Sequence, residues 1–174
     1  MAFAINLRSD DASAARLRAL WKEAARFEDK PSMESLNYPP HITFAIYEEI
    51  KLEQLRNVAR LAFEEQSRIT LSFARIRYFD GSSLILWAEP SPTPEIKRLH
   101  EMIHRNISPS LCHVHYRPTC WTPHVSLAVR IREERRREAL TFCERPMQAI
   151  EVRFDVGDIV SFHPVRVIDQ WPLA

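Results

Sequence analysis

Residues 39–46 read PPHITFAI, and residues 122–129 read TPHVSLAV. Each has a proline, a histidine, an aliphatic residue, a hydroxyl, an apolar residue, an alanine and a further aliphatic, and His124 follows His41 by eighty-three residues. On a β-strand, residues i, i+2 and i+4 share a face. His41, Thr43 and Ala45 are therefore expected on one face, with Ile42, Phe44 and Ile46 turned into a core. In the second copy His124, Ser126, Ala128 and Arg130 share a face, and Val125, Leu127 and Val129 are buried. Core packing accounts for the aliphatic positions but not for a matched histidine and hydroxyl on the other face. A motif repeated half a chain length apart points to a duplicated unit.

The chain has 174 residues, 45% hydrophobic and 27% charged, which suits one soluble domain with a sizeable core. Its formal charge of +1 demands no polyanionic partner, although a local basic site can still hold a small phosphorylated ligand. The only glycines are Gly81 and Gly157, so neither a P-loop nor a GxGxxG turn can be built. The N-terminal MAFAINLRSDD lacks a signal-peptide core, and no stretch reaches the ~18–20 apolar residues of a membrane span. Cys112, Cys120 and Cys143 are odd in number and form no CxxC pair, which fits a reduced, cytoplasmic setting.

Periodicity predicts a strand at 3–7 and a helix over 12–27, then a polar, proline-bearing loop over 28–40 that leads to His41. A strand over 41–47 and a helix over 51–66 follow. Two strands, 69–79 and 83–89, flank the hairpin signal Asp80-Gly81, and a helix with Pro94 in its first turn runs over 94–107. After an irregular stretch (108–123) come a strand from His124, a charged helix over 132–143, and strands 150–156 and 158–170 joined at Gly157-Asp158. This order predicts an α+β domain, residues 1–174, of two pseudo-symmetric lobes with antiparallel-rich sheets flanked by helices around a central cleft.

If the two motif strands lie together, two imidazoles and two hydroxyls converge on one spot. Histidine has an unperturbed pKa near ~6.5 and exchanges protons at neutral pH. One ring can serve as general base for an attacking water and the other as general acid for the leaving oxygen of a phosphodiester. Thr43 and Ser126 can donate hydrogen bonds to the non-bridging oxygens, where charge develops. No metal or other cofactor is required.

The paired motifs HITF (41–44) and HVSL (124–127) resemble those of the 2H phosphoesterase superfamily, and WTPHVSLA looks like its 2′-5′ RNA ligase-like branch. The resemblance covers most of the chain, with Ser126 standing where threonine is more frequent. It implies metal- and ATP-independent chemistry on 2′,3′-cyclic phosphates or related 2′-5′ linkages, in hydrolysis or reversible ligation. The substrate would be a small cyclic nucleotide or an RNA terminus, with no membrane and no obligate protein partner. It also implies that His124 activates water and His41 protonates the leaving group. The alternative is a non-catalytic RNA- or nucleotide-binding module of the same fold.

Four further residues are candidates for substrate binding. Arg130 could clamp a phosphate or simply end a strand in solvent. Tyr38, Arg117 and Trp121, with Tyr116, lie in the loops that feed the two histidines; an aromatic there could stack on a base, or Trp121 could be a packing anchor. Cys112, His113, His115 and Cys120 invite a zinc reading, hence a metallohydrolase as a rival, but their spacing matches no common structural site. RIREERRRE (130–138) carries three glutamates among its arginines and reads as a solvated helix face.

Overall fold

The structure is a computed structural model that describes residues 1–174. It contains β1 (Ala2–Ser9), α1 (Ala15–Ala25), β2 (His41–Tyr47), α2 (Leu52–Phe63), β3 (Ile69–Asp80), β4 (Leu84–Pro90), α3 (Pro94–Asn106), β5 (Val125–Ala128), α4 (Arg136–Glu144), β6 (Ile150–Phe162) and β7 (Arg166–Pro172). All strand pairings are antiparallel, in the order β2-β1-β6-β3-β4-β5, with β7 on the other side of β6 from β1. Fold class is thus α+β, as the sequence predicts.

The thirteen residues of β6 belong to two sheet halves. Its C-terminal part lies between β1 and β7, and its N-terminal part pairs with β3. One half therefore reads β2-β1-β6-β7 and the other β5-β4-β3-β6. Each ends on a motif strand. The helices are exchanged between halves: α1 follows β1 but packs on β5, whereas α3 follows β4 but packs on β2. α2 covers β6 and β7, and α4 covers β3 and β4. The apolar faces of these helices supply Leu17, Leu20, Leu55, Phe63, Leu99, Ile103 and Phe142 to one core that also takes Ile5 and Leu7 of β1. Ala4 and Asn6, the alternate residues of β1, face away from that core and into a cleft. No helix is long and apolar enough to cross a membrane.

Two expectations are corrected here. Gly157-Asp158 is not a turn: both residues lie inside β6, and the hairpin comes at 163–165. Gly157 is needed because the Phe63 ring lies flat against the strand, where a Cβ would collide with it. The alternation along the motif strands also breaks. Ile5 pairs with Ala45 but Asn6 pairs with Thr43, which leaves Phe44 as an extra residue. Leu86 pairs with Ala128 and Trp87 with Ser126, which leaves Leu127 extra at the same motif position. Each is a β-bulge, and the parity of the strand reverses beyond it. Ala45 and Ala128 are buried, not on the histidine face, and Ile46 lines the cleft instead.

Candidate active site

His41, Thr43, His124 and Ser126 line a single cleft of about 170 Å³. The strands that carry them stand at opposite ends of the hydrogen-bonded order, so the sheet curls to bring its two ends together. The sequence expectation that the two motifs share one site matches this placement.

Each imidazole is set by the residues just before it. Pro40 and Pro123 hold the preceding residue extended, and the carbonyl two positions upstream meets the ring. His41 Nδ1 lies 2.9 Å from Pro39 O, and His124 Nδ1 lies 2.8 Å from Thr122 O. A carbonyl only accepts, so Nδ1 carries the proton in both rings and Nε2 is the free nitrogen. Burial pushes His41 down to about 4, with the Pro39 carbonyl opposing and a charge on His124 adding to the fall. Burial also lowers His124, against the Thr122 carbonyl. Both rings are neutral at pH 7, each with Nε2 able to accept a proton.

The bulges leave the carbonyls of Thr43 and Ser126 outside the strand ladder, and a tryptophan meets each. Trp121 Nε1 donates to Thr43 O at 2.9 Å, and Trp21 Nε1 of α1 donates to Ser126 O at 2.9 Å. Trp121 in turn stacks on His100 of α3, with ring centroids 4.0 Å apart. It is the packing anchor of the two readings the sequence leaves, because it lies behind β2 and does not line the cleft.

The surroundings of the two motifs differ. Beside β2, Thr43 Oγ1 donates to Asn6 Oδ1 at 2.9 Å, Asn6 Nδ2 donates to Tyr38 Oη at 3.3 Å, and Tyr38 Oη lies 2.7 Å from both oxygens of Asp158. The left-handed Asn37 (φ 49°) throws Tyr38 inward, where its ring meets His41 edge-on at 4.8 Å. Asp158 is fully buried, and burial raises it to about 6 despite Tyr38, Arg8 (Nε at 3.6 Å) and Asn6. Burial and Asp158 also raise Tyr38, which stays protonated. Beside β5, His124 sits edge-on to Phe79 (5.1 Å) and Trp87 (5.8 Å), which stack on each other. Ser126 Oγ makes no hydrogen bond within the chain, whereas its backbone carbonyl accepts from Trp21.

Of the four expected substrate-binding residues, Tyr38 alone lines the cleft, together with its fellow loop aromatic Tyr116. Arg117 is spent on its own loop, donating to Cys112 O (2.9 Å) and Ser110 O (3.1 Å). Arg130 lies beyond the Leu127 bulge, which takes it off the histidine face; it is exposed, and its backbone N–H donates to buried Glu28 at 2.8 Å. Cys112 is buried while His113 and His115 are exposed, and no cluster of three or more His, Cys, Asp or Glu side chains is arranged to hold a metal ion. Sequence reasoning missed Asn6, Asp158 and His163 at or behind the cleft. The rest of its wall is apolar, with Leu36, Val160, Phe162 and Val165, and no lysine or arginine lines it.

A model of the 2′-5′ RNA ligase superfamily matches residues 8–163. No curated protein matches the chain at a significant level. Among solved structures, TT0787 of Thermus thermophilus is similar at a TM-score of 0.69 and 14% identity, covering 99% of this chain and 98% of that one. E. coli LigT complexed with 3′-AMP is similar at a TM-score of 0.63 and 16% identity, covering 100% and 99%. The shared fold agrees with the curled sheet and its cleft, and the family match takes in both histidine motifs: the chain belongs to the 2′-5′ RNA ligase superfamily.

Proposed function

We propose that this chain is a 2H-type phosphodiesterase that opens a 2′,3′-cyclic phosphate, or a related 2′-5′ linkage, on a small nucleotide or an RNA end. The observation that carries this reading is the pair of imidazoles. Each has Nδ1 held by a carbonyl and Nε2 free, and both share one cleft with two hydroxyls. One neutral ring takes a proton from the nucleophile, and the other, protonated, gives one to the leaving oxygen. The bound anion itself favours that second ring's charged form. A diester carries one negative charge, which suits a cleft without lysine or arginine. Its apolar wall, with Leu36, Phe162 and Val165, suits a nucleobase. That E. coli LigT was crystallised with 3′-AMP supports a nucleotide for this chain as well. We read residues 1–174 as one domain of two pseudo-symmetric lobes working on that diester.

Turnover of a 2′,3′-cyclic nucleoside monophosphate in excess chelator is the test. The expected result is activity that the chelator leaves intact and that His41→Ala and His124→Ala each lower by about 10²–10⁴-fold. Full activity in either variant, or zinc-dependent activity, would sink the two-histidine reading. Nucleotide binding without turnover would make the chain a binding module.

A further inference from the structure

The cleft is longer than a phosphate needs. Along β1 the residues that line it are Asn6 and then Ala4, and each marks a row across three strands. Asn6 pairs with Thr43 on one side and Asp158 on the other, and this row is polar. Ala4 pairs with Ile46 and Val160, and this row is wholly apolar. Two strand residues, about 6–7 Å, separate the rows, which is the scale of one ribose. The apolar row does not belong to the main core. Ala4 and Val160 form a small cluster with Tyr38, apart from the core of 41 residues, and Ile46, Phe162 and Val165 pack on it half-buried. Apolar side chains left partly wet along a cleft mark a ligand contact.

Walls stand on both sides of this floor. On the β2 edge His113 N donates to Ile46 O at 2.9 Å, which docks the turn Val114–Tyr116 beside the floor and sets Tyr116 in the cleft. His100 of α3 fixes that wall from behind, with Nε2 donating to Tyr116 O at 2.8 Å. On the β6 side Phe162 and the hairpin residue Val165 face it. The floor spans β2, β1 and β6, two strand spacings or about 10 Å, which is wide enough for a flat heteroaromatic ring. Ala4 lies at its centre, where a longer side chain would stand in the way of such a ring.

From this geometry, and resting on the phosphodiester reading above, we infer that this end of the cleft is a nucleobase slot, with Ala4 as the residue that sets its depth and His100 as a positioning residue for Tyr116. The substrate class follows. The cyclic phosphate belongs to a nucleoside, alone or at an RNA end, and not to a simple sugar or polyol. The floor offers apolar surface without donors or acceptors, so the slot takes any base, as stacking does.

Two kinds of diester that differ only in the base give the test: the four nucleoside 2′,3′-cyclic monophosphates, and methyl riboside 2′,3′-cyclic phosphate. Wild type is expected to show kcat/KM about 10–10²-fold higher for each nucleotide than for the riboside, chiefly through KM, with the four bases within about tenfold of one another. Ala4→Leu, which fills the floor, is expected to cut that preference about tenfold. Tyr116→Ala lowers the same ratio and carries the test should Ala4→Leu fold poorly. No preference in wild type, a ratio unchanged in both variants, or a preference of about 10²-fold for one base overturns the slot. If wild type cleaves neither kind of diester, the phosphodiesterase reading falls, and calorimetric affinity for uridine 3′-phosphate against its riboside counterpart decides the slot. A preference lost in Ala4→Leu sustains it, and equal affinities overturn it.

The positioning role has its own readout. His100→Phe keeps a ring against Trp121 but loses the donor to Tyr116 O, and it is expected to lower the preference for nucleotide over riboside about threefold to tenfold. His100→Gln, whose amide can still donate, is expected to recover most of it. An equal loss on both diesters, or no recovery with glutamine, overturns that role.

Discussion

The two motif strands share backbone devices and differ in what surrounds their polar groups in the cleft. Both have an Nδ1 proton held by the carbonyl two residues upstream, a bulge at the fourth motif position, and an indole N–H on the carbonyl of the hydroxyl residue. Thr43, however, is tied by Asn6 into a buried polar chain, while Ser126 stands free beside a stack of Phe79 and Trp87. The contrast separates two jobs. The repeated backbone devices place four polar groups, and the unrepeated neighbours give the two hydroxyls different hydrogen-bonding partners. On the proposed reading, a repeated frame would thus serve a reaction whose two ends are chemically opposite.

The hydroxyls put that contrast under the greatest strain. Ser126→Ala removes the free donor and is expected to cost about 10²–10³-fold in kcat, whereas Thr43→Val costs about tenfold or less. Equal losses, measured on the cyclic nucleotide at saturation, would break the asymmetry. A smaller effect probes what the halves share. Trp21→Phe and Trp121→Phe each leave a bulge carbonyl without its donor and should each cost about 1–3 kcal/mol in denaturant melts. A loss for only one of them would mean that the bulges are not equivalent.

The mildest effect concerns what lies behind each motif. Only β2 is backed by a histidine pair, His100 and His104 of α3, with rings 4.4 Å apart. Burial pushes His100 down to about 4, like His41, and also lowers His104 and His124. The unfolded chain takes up protons near ~6.5 that these folded rings refuse, so stability is lost as pH falls below that value. Asp158, raised to about 6, opposes this, because its share of stability is lost as pH rises through about 6. With four groups against one, the thermal midpoint should fall between pH 7 and 4.5, and His100→Phe should make the fall shallower. An identical pH slope in that variant would remove His100 from the account.

Much of this is legible in the sequence, for reasons that also mark where legibility ends. Periods of two and 3.6 place the strands and helices, and repetition singles out His41, Thr43, His124 and Ser126 from seven histidines and many hydroxyls. Gly157-Asp158 misleads because the pair is a turn signal locally, while the cause of that glycine is Phe63, ninety-four residues earlier. The bulges are invisible to any single-strand argument, since an extra residue is defined only against a partner strand. Strict alternation puts Ala45, Ala128 and Arg130 on the wrong face for that one reason. The polar chain draws on β1, a loop and β6, and nothing in the spacing of Asn6, Tyr38 and Asp158 says that they meet.

The exchange of helices bears on how the molecule comes apart. Because α1 leaves the first half to cover β5, and α3 leaves the second to cover β2, each motif strand is roofed by chain from the other half. A half that formed first would keep only its own helix, α2 on β6 and β7 or α4 on β3 and β4, and its motif strand would present a bare apolar face to water. The crossed indoles of Trp21 and Trp121 add a latch in each direction. The two sides of the cleft are therefore clasped to one another, and unfolding is expected as one transition in which the floor of the cleft and both halves of the sheet are lost together.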